Sequence, residues 1–216
     1  MVDSRPNPEQ LLQRVQEEEQ QENRGKLKIY LGAAPGVGKT HQMLQDAHEK
    51  RRLDLDVVVG IVESHGRKDI ERLLQGFEIL PRKVVQYRGK RCLEFDLDRA
   101  LQRHPGVILV DEMAHTNASG LRHEKRWQDI KELLDRGIDV YTTLNVQHIE
   151  SLKDDVAQII QAPIRETVPD SMIDSADTIE LVDLPPEDLL KRLEEGKIYI
   201  PQQAEFAREH FFAKGI

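Results

Sequence analysis

The stretch "KIYLGAAPGVGKTHQML", residues 28–44, constrains the fold of this 216-residue chain more than any other. It joins an apolar run over 26–31, predicted as a buried strand, to a helical pattern over 40–52. The loop between them fits the pattern Gly-x4-Gly-Lys-Ser/Thr, except that Ala33 stands where the first glycine is usual. Backbone N–H groups of such a loop converge on phosphate, and the following helix points its positive end at the same place. The sequence therefore predicts a phosphate-binding loop.

Each part of this loop has a predicted role. Alanine is tolerated at the first position because the tightest turns fall later, at Gly36 and Gly38. Lys39 would reach the β- and γ-phosphates of a nucleotide, and the Thr40 hydroxyl would bind Mg²⁺. The predicted nucleotide-binding residues are Ala33, Ala34, Pro35, Gly36, Val37, Gly38, Lys39 and Thr40.

Short apolar runs alternate with helical patterns along the rest of the chain. This alternation is typical of an α/β fold, a mostly parallel sheet sandwiched by helices. With the loop it indicates a fold like that of the P-loop NTPases, with a C-terminal helical extension. We expect a polar leader over 1–24, a nucleotide-binding domain over 25–184, and an extension over 185–216 packed on it. Predicted strands cover 26–31, 56–63, 83–87, 107–112, 138–145 and 178–184, and predicted helices 40–52, 69–77, 95–104, 124–137 and 147–160.

Composition excludes several classes of function. The net charge of -8 argues against a general nucleic-acid grip, and a mean hydropathy of -0.57 argues against a membrane protein. The amino-terminal sequence lacks the pattern of a secretory signal. With one cysteine in the chain, the cytosol is the expected compartment. Cys92 is the single cysteine, which excludes an internal disulfide and is most simply explained as a small buried residue.

A second part of the site is predicted in "GVILVDEMAHTN", residues 106–117. Asp111 and Glu112 end an apolar run, at the carboxyl end of a predicted strand. Asp111 could hold Mg²⁺, and Glu112 could orient or deprotonate an attacking water. The alternative is a strand that ends in ordinary surface carboxylates. His115 follows in the loop and could line the cleft or serve as loop scaffolding.

Two further strand ends carry polar groups. Thr143 and Asn145 would emerge near the same cleft, where Asn145 could sense the γ-phosphate or simply cap the next helix. Glu63 and Arg67 follow the second strand. Arg67 could touch phosphate or a partner, or both side chains could be solvated while Asp69 caps the next helix.

A basic cluster, "RHEKRW" over 122–127, has three open readings. Arg122 or Arg126 could supply an arginine to a nucleotide, or the cluster could dock a neighbouring domain. Charge runs are most often solvated faces, which is the third reading. The same caution applies to the basic stretch over 82–91.

Taken together, these segments resemble the amino-terminal cytoplasmic domain of the KdpD family, the osmosensitive sensor histidine kinases that control potassium uptake. The resemblance covers about residues 6–212 in the family's order. The run over 122–152 is its most specific part. The matching segments are "RGKLKIYLGAAPGVGKT", "VVVGIVESHGRKD", "YRGKRCLEFDLD", "LVDEMAHTN", "RHEKRWQDIKELLDRGIDVYTTLNVQHIESL", "IRETVPD", "LVDLPPEDLLKRLEEGKIYIP" and "AEFAREHFF".

The resemblance implies an ATP-binding regulatory domain, with Ala33 to Thr40 and Asp111 as its two nucleotide motifs and ATP and Mg²⁺ as cofactors. The implied partners are ATP or ADP and the kinase core and other domains of such a sensor, at the cytoplasmic face of the bacterial inner membrane. No nucleic acid and no membrane contact by this chain alone are expected. We expect the chain to be the first domain of a sensor or a naturally short relative, not a histidine autokinase by itself.

Three functions follow. The first is a regulatory module in which nucleotide binding biases the attached kinase. The second is an active ATPase or protein phosphotransferase with Glu112 as the base. The third is a docking scaffold for a separate kinase. Phosphate release separates the first two, and nucleotide-independent partner binding would support the third.

Overall fold

A computed structural model describes residues 23–87 and 90–194 of the chain. Most of the predicted leader, and the part of the predicted extension after residue 194, lie outside the described residues. The strands are β1 Leu27–Gly32, β2 Val57–Ile61, β3 Glu78–Ile79, β4 Lys83–Tyr87, β5 Lys90–Glu94, β6 Val107–Val110, β7 Asp139–Asn145 and β8 Thr178–Leu181. The helices are α1 Lys39–Arg52, α2 Lys68–Leu74, α3 Leu97–Arg103, α4 Arg126–Asp135, α5 Lys153–Ile160, α6 Asp170–Asp174 and α7 Pro186–Glu194.

Six of the strands form one parallel sheet in the order β3-β2-β6-β7-β1-β8. The predicted α/β fold with a mostly parallel sheet is thereby confirmed. Every residue of β2 and of β6 is buried, as expected for strands covered on both faces. The pairing sets Gly32 beside Asn145 and Val110 beside Thr142. The carboxyl ends of β1, β7 and β6 therefore meet at one edge of the sheet.

Helices cover both faces of the sheet. Alternate residues of β6 point to opposite faces, so Ile108 packs with Ile130 of α4, and Leu109 packs with Leu44 of α1. The two clusters form the layers of hydrophobic core on either side of the sheet. Within the described part of the chain, no helix is long and apolar enough to cross a membrane.

The strand predicted over 83–87 forms, but outside the parallel sheet. It pairs antiparallel with β5, an element that was not predicted, and these two strands are the β4–β5 hairpin. Paired residues Val84 and Leu93 are 50% and 57% exposed, as an antiparallel pair with one face in water allows. Cys92 of β5 is only partly buried, so its prediction as a buried residue was wrong.

The helix predicted over 147–160 begins only at Lys153. Two 3₁₀ turns, Val146–His148 and Glu150–Leu152, precede it. The reason is a bridge between Ile149 and Val168, in which the Glu150 N–H donates to the Val168 carbonyl at 3.1 Å. These backbone groups bond to another segment and are not available to a continuous helix.

Candidate functional site

A cleft of about 400 Å³ opens at the sheet edge where β1, β7 and β6 end. This volume lies within the usual range of small-molecule sites. Its lining combines cations, carboxylates, hydroxyls and two side-chain amides. The lining residues include Pro35, Gly36, Gly38, Lys39, Thr40, Arg67, Asp111, Glu112, His115, Thr143 and Asn145. Most of the predicted site residues are thus brought to one place.

The loop before α1 depends on its glycines. Gly36 and Gly38 have φ angles of 87° and 112°, a region that glycine adopts freely. Gly32 is fixed by packing, since a Cβ there would lie 2.6 Å from Val37 Cγ2 and 3.0 Å from Lys39 Cδ. Gly38 caps α1 without a side-chain hydrogen bond. The first N–H groups of α1 therefore have no side-chain cap, which suits an anion at this end of the helix.

Lys39 folds back over this loop. Its Nζ donates a hydrogen bond to the Ala34 carbonyl at 3.0 Å, and the residue is 9% exposed. Burial lowers the pKa of Lys39 to about 8, although the charge of Asp111 opposes the change. A polyanion in the cleft would favour the charged ammonium.

Thr40 and Asp111 meet across 71 positions of sequence. The Thr40 hydroxyl donates to Asp111 Oδ2 at 3.2 Å, and the Thr143 hydroxyl donates to Asp111 Oδ1 at 2.5 Å. Burial, and then the charge of Glu112, raise the pKa of the Asp111 carboxyl. A buried carboxylate beside a hydroxyl, with a second carboxylate adjacent, fits a hard divalent cation such as Mg²⁺. Thr40 and Asp111 are the residues that would hold it.

Glu112 is held in an uncommon backbone conformation. Its φ is 57°, in the left-handed region, and its N–H donates to the Thr143 hydroxyl at 3.1 Å. Its Oε1 lies 3.3 Å from His65 Nε2. The hydrogen bond with His65 lowers the pKa of Glu112 and raises that of His65. Glu112 is therefore ionised at neutral pH, with its carboxylate held by His65.

Asn145 lines the cleft with an unused acceptor. Its Oδ1 is buried and has no hydrogen-bond partner among the described residues. It occupies the cap position of the first 3₁₀ turn, but its side chain makes no capping hydrogen bond there. An unpaired buried amide oxygen costs about 1–3 kcal/mol, which a bound ligand or water would recover.

Glu63 and Arg67 have separate environments. Arg67 lines the cleft, where its Nε donates to the Ser64 carbonyl at 3.2 Å. Glu63 forms an ion pair with Arg82 at 2.7 Å and is not among the lining residues. Arg67 itself occupies the cap position of α2, so Asp69 is not the cap.

Neither arginine of the basic cluster lines the cleft. Arg122 forms ion pairs with Asp98 and Glu132 on the surface. Arg126 is 1% exposed, and its guanidinium donates to the Asp111 carbonyl at 3.1 Å and to Glu94 at 3.4 Å. The buried Arg126 side chain therefore holds the backbone of the segment that carries Asp111.

His115 connects the cleft to the β4–β5 hairpin. It lines the cleft, and its Nε2 lies 3.3 Å from Glu94 Oε2. Burial raises the pKa of Glu94, but the hydrogen bond and charge of His115 and the charge of Arg126 outweigh it, so that pKa is lowered. Glu94 also accepts a hydrogen bond from the Ala118 N–H at 3.1 Å.

Polar lining residues that were missed in the sequence include Gln147, His148 and Glu166. A ring nitrogen of His148, Nδ1, lies 2.8 Å from the Glu166 carbonyl, and Glu166 Oε1 accepts from the Thr116 N–H at 2.8 Å. The bridge between Ile149 and Val168 brings the segment of Glu166 to the cleft. That long-range pairing leaves no local signal in the sequence.

Comparison with known proteins identifies relatives. Residues 23–216 match a family described as "KdpD: Osmosensitive K+ channel His kinase sensor domain". The chain is 57% identical over 211 residues to "Sensor protein KdpD" of Escherichia coli (strain K12), covering 98% of this chain and 23% of that protein. It is 53% identical over 210 residues to "Sensor protein KdpD" of Clostridium acetobutylicum, covering 97% and 23%. Against the "Putative sensor protein KdpD" of Synechocystis sp. it is 45% identical over 191 residues, covering 88% and 52%.

Proposed function

The chain belongs to the family of KdpD osmosensitive K⁺ channel histidine kinase sensor domains, and from this premise we propose that it is a regulatory domain that binds a nucleotide. It spans 23% of the E. coli and Clostridium relatives, so the activity of a whole sensor is also a proposal here. The proposed ligands are Mg-ATP and Mg-ADP, bound in the cleft as in P-loop NTPases.

The observation that carries this proposal is the meeting of Thr40 and Asp111 at 3.2 Å, with Lys39 buried beside them. The Thr40 hydroxyl belongs to the predicted phosphate-binding loop, and the Asp111 carboxylate belongs to the second predicted part of the site, residues 106–117. Backbone N–H groups of the loop would bind the phosphates, and Lys39 would leave the Ala34 carbonyl to reach the β- and γ-phosphates. Bound Mg²⁺ would neutralise charge on the phosphate oxygens.

Regulation would follow from the groups that change partners. In the structure Lys39 bonds to Ala34, and Glu112 to His65. A phosphate in the cleft would compete with the Ala34 carbonyl for Lys39. Its negative charge would also act on the hydrogen bond between Glu112 and His65. Because the loops that carry these residues lie at the surface of the domain, occupancy would change the surface offered to the kinase core and other domains of a KdpD-like sensor, at the cytoplasmic face of the inner membrane.

Calorimetric titration with Mg-ATP and Mg-ADP tests the proposal. Lys39→Ala removes the cation at the phosphates, and Lys26→Ala is the matched control, since Lys26 is exposed at the opposite end of β1. We expect binding by the native chain and Lys26→Ala, and at least a tenfold loss in a folded Lys39→Ala. Equal affinities in all three proteins would refute the phosphate-loop assignment.

Hydrolysis is a second candidate, favoured by the ionised Glu112 in the cleft. Glu112 could take a proton from an attacking water, but its hydrogen bond with His65 lowers its pKa and makes it a weaker base. Slow phosphate release is the expected result. Glu112→Gln should retain binding and remove any release, whereas an unchanged rate would exclude Glu112 as the base.

The docking scaffold has less support. The basic cluster that suggested it is engaged within the domain: Arg126 is buried, Arg122 forms ion pairs with two carboxylates, and Lys125 Nζ donates to the Thr116 hydroxyl at 2.8 Å. Partner binding that does not depend on nucleotide would restore this function as the leading one.

A further inference from the structure

Helix α7 lies directly on the phosphate loop. Leu189, only 3% exposed, packs with Ala34 and Val37 in a small cluster separate from the two main core layers. Val182 packs against this cluster, and its N–H donates to the Leu31 carbonyl at 2.7 Å. The helix follows β8 after four residues, 182–185, so the sheet fixes its position.

Arg192 extends from α7 over this loop. It is three positions beyond Leu189 and so lies on the same helical face. Its Nη1 donates to the Gly36 carbonyl at 3.3 Å, and a Cβ placed on Gly38 would lie 3.5 Å from the same nitrogen. Within 23–87 and 90–194, that carbonyl is its one hydrogen-bond partner. A guanidinium has five N–H donors, so most of its capacity is available to a ligand.

Sheet order indicates which end of a nucleotide Arg192 faces. Asp111 and Glu112 follow β6, on one side of β1, whereas β8, the strand that leads into α7, lies on the other side. The terminal phosphates and the metal belong beside Asp111, so the nucleoside would extend toward α7.

Arg192 is not itself one of the residues that line the cleft, but it lies next to two of them, Gly36 and Gly38. We propose that Arg192 extends the cleft at its nucleoside end, with its guanidinium plane stacked on the purine ring of the bound nucleotide. This inference rests on the proposed function and extends it from phosphates to base. A planar, delocalised cation stacks on aromatic faces, an interaction that lysine does not reproduce. Stacking contacts the face of the ring, whereas adenine and guanine differ at their edges. The binding of Mg-ATP and of Mg-GTP would therefore depend on Arg192 to the same extent.

Titration with two ligands separates a base contact from a phosphate contact. Mg-ATP has a nucleoside, and inorganic Mg-triphosphate has none. Arg192→Ala should weaken Mg-ATP about tenfold and leave Mg-triphosphate unchanged within about twofold. Arg192→Lys, which keeps the charge without the plane, should show most of the same loss. Lys191→Ala, an exposed neighbour on α7, is the matched control and should match the native chain.

Two results would overturn the assignment. Equal losses for both ligands in Arg192→Ala would make the residue a phosphate contact, and no loss for either would leave it without a role in binding. Thermal melting of each variant separates loss of a contact from loss of the fold. If the native chain binds neither ligand, the nucleotide proposal itself fails and this one with it. If the native chain binds both and only the Arg192 result fails, the nucleotide proposal stands.

Discussion

Replacing Lys39 with methionine should stabilise the ligand-free domain while abolishing nucleotide binding. Burial lowers the pKa of this lysine from 10.5 to about 8. At about 1.4 kcal/mol per pH unit, holding the charged ammonium in the folded protein costs about 3 kcal/mol. Methionine removes that cost but leaves the Ala34 carbonyl without its partner, a loss of about 1–2 kcal/mol. The expected net gain in the free energy of unfolding is about 1–2 kcal/mol at pH 7.

The gain has a defined pH dependence. Below pH 8 Lys39 is charged in both the folded and the unfolded state, so the full desolvation cost is present. Between about 8 and 10.5 the unfolded chain holds the proton more tightly, and the stability of the native chain therefore rises with pH relative to the variant. The advantage of Lys39→Met should shrink through this window, vanish about one to two pH units above 8, and reverse near the upper end, where only the lost hydrogen bond to Ala34 remains.

Urea unfolding of both proteins at pH 7 and pH 9.5 measures this difference. Lys26→Met, which replaces an exposed lysine, is the control and should show little change at either pH. A Lys39→Met variant that is less stable than the native chain at pH 7 would refute the reasoning. So would a gain that does not depend on pH, because it would show that charge burial is not its source.

Three other predictions follow from groups at or under the cleft. Nucleotide binding should take up a proton near pH 8 and weaken above it, because phosphate favours the charged form of Lys39; titration in buffers of different ionisation enthalpy measures the uptake. The pKa of His65, raised first by its hydrogen bond with Glu112, should fall in Glu112→Gln, and an unchanged NMR titration of the His65 ring would contradict that contact. Arg126→Ala should cost about 3–5 kcal/mol, because it removes the buried arginine that pairs with the buried Glu94 carboxylate and leaves a cavity. Arg122→Ala at the surface should cost under about 1 kcal/mol, and urea unfolding that gave similar losses would contradict the burial argument.

Much of the site could be predicted because it follows from strand ends. Parallel strands deliver their carboxyl ends to one edge, so the loop before Thr40 and the carboxylate of Asp111 had to approach each other. The same rule placed Thr143 near them. These predictions needed only the apolar runs and the polar residues that end them, both of which are local features of the sequence.

The rest depends on tertiary contacts that have no local signal. Arg126 stands in a basic run but is buried, because Glu94 from the hairpin and the Asp111 carbonyl accept its hydrogen bonds. Nothing near Glu94 in the sequence shows that it faces an arginine 32 positions away. Glu166 likewise reaches the cleft through a bridge between distant segments.

Backbone amide chemical shifts during titration with Mg-ADP test the central claim most directly. If the loop over 33–40 holds the phosphates, the N–H signals of Gly36, Gly38 and Lys39 should shift most, because these groups would donate to phosphate oxygens. The exposed residues Val84 and Leu93 of the β4–β5 hairpin, outside the cleft, should shift little. Large shifts in the hairpin with none in the loop would contradict the account.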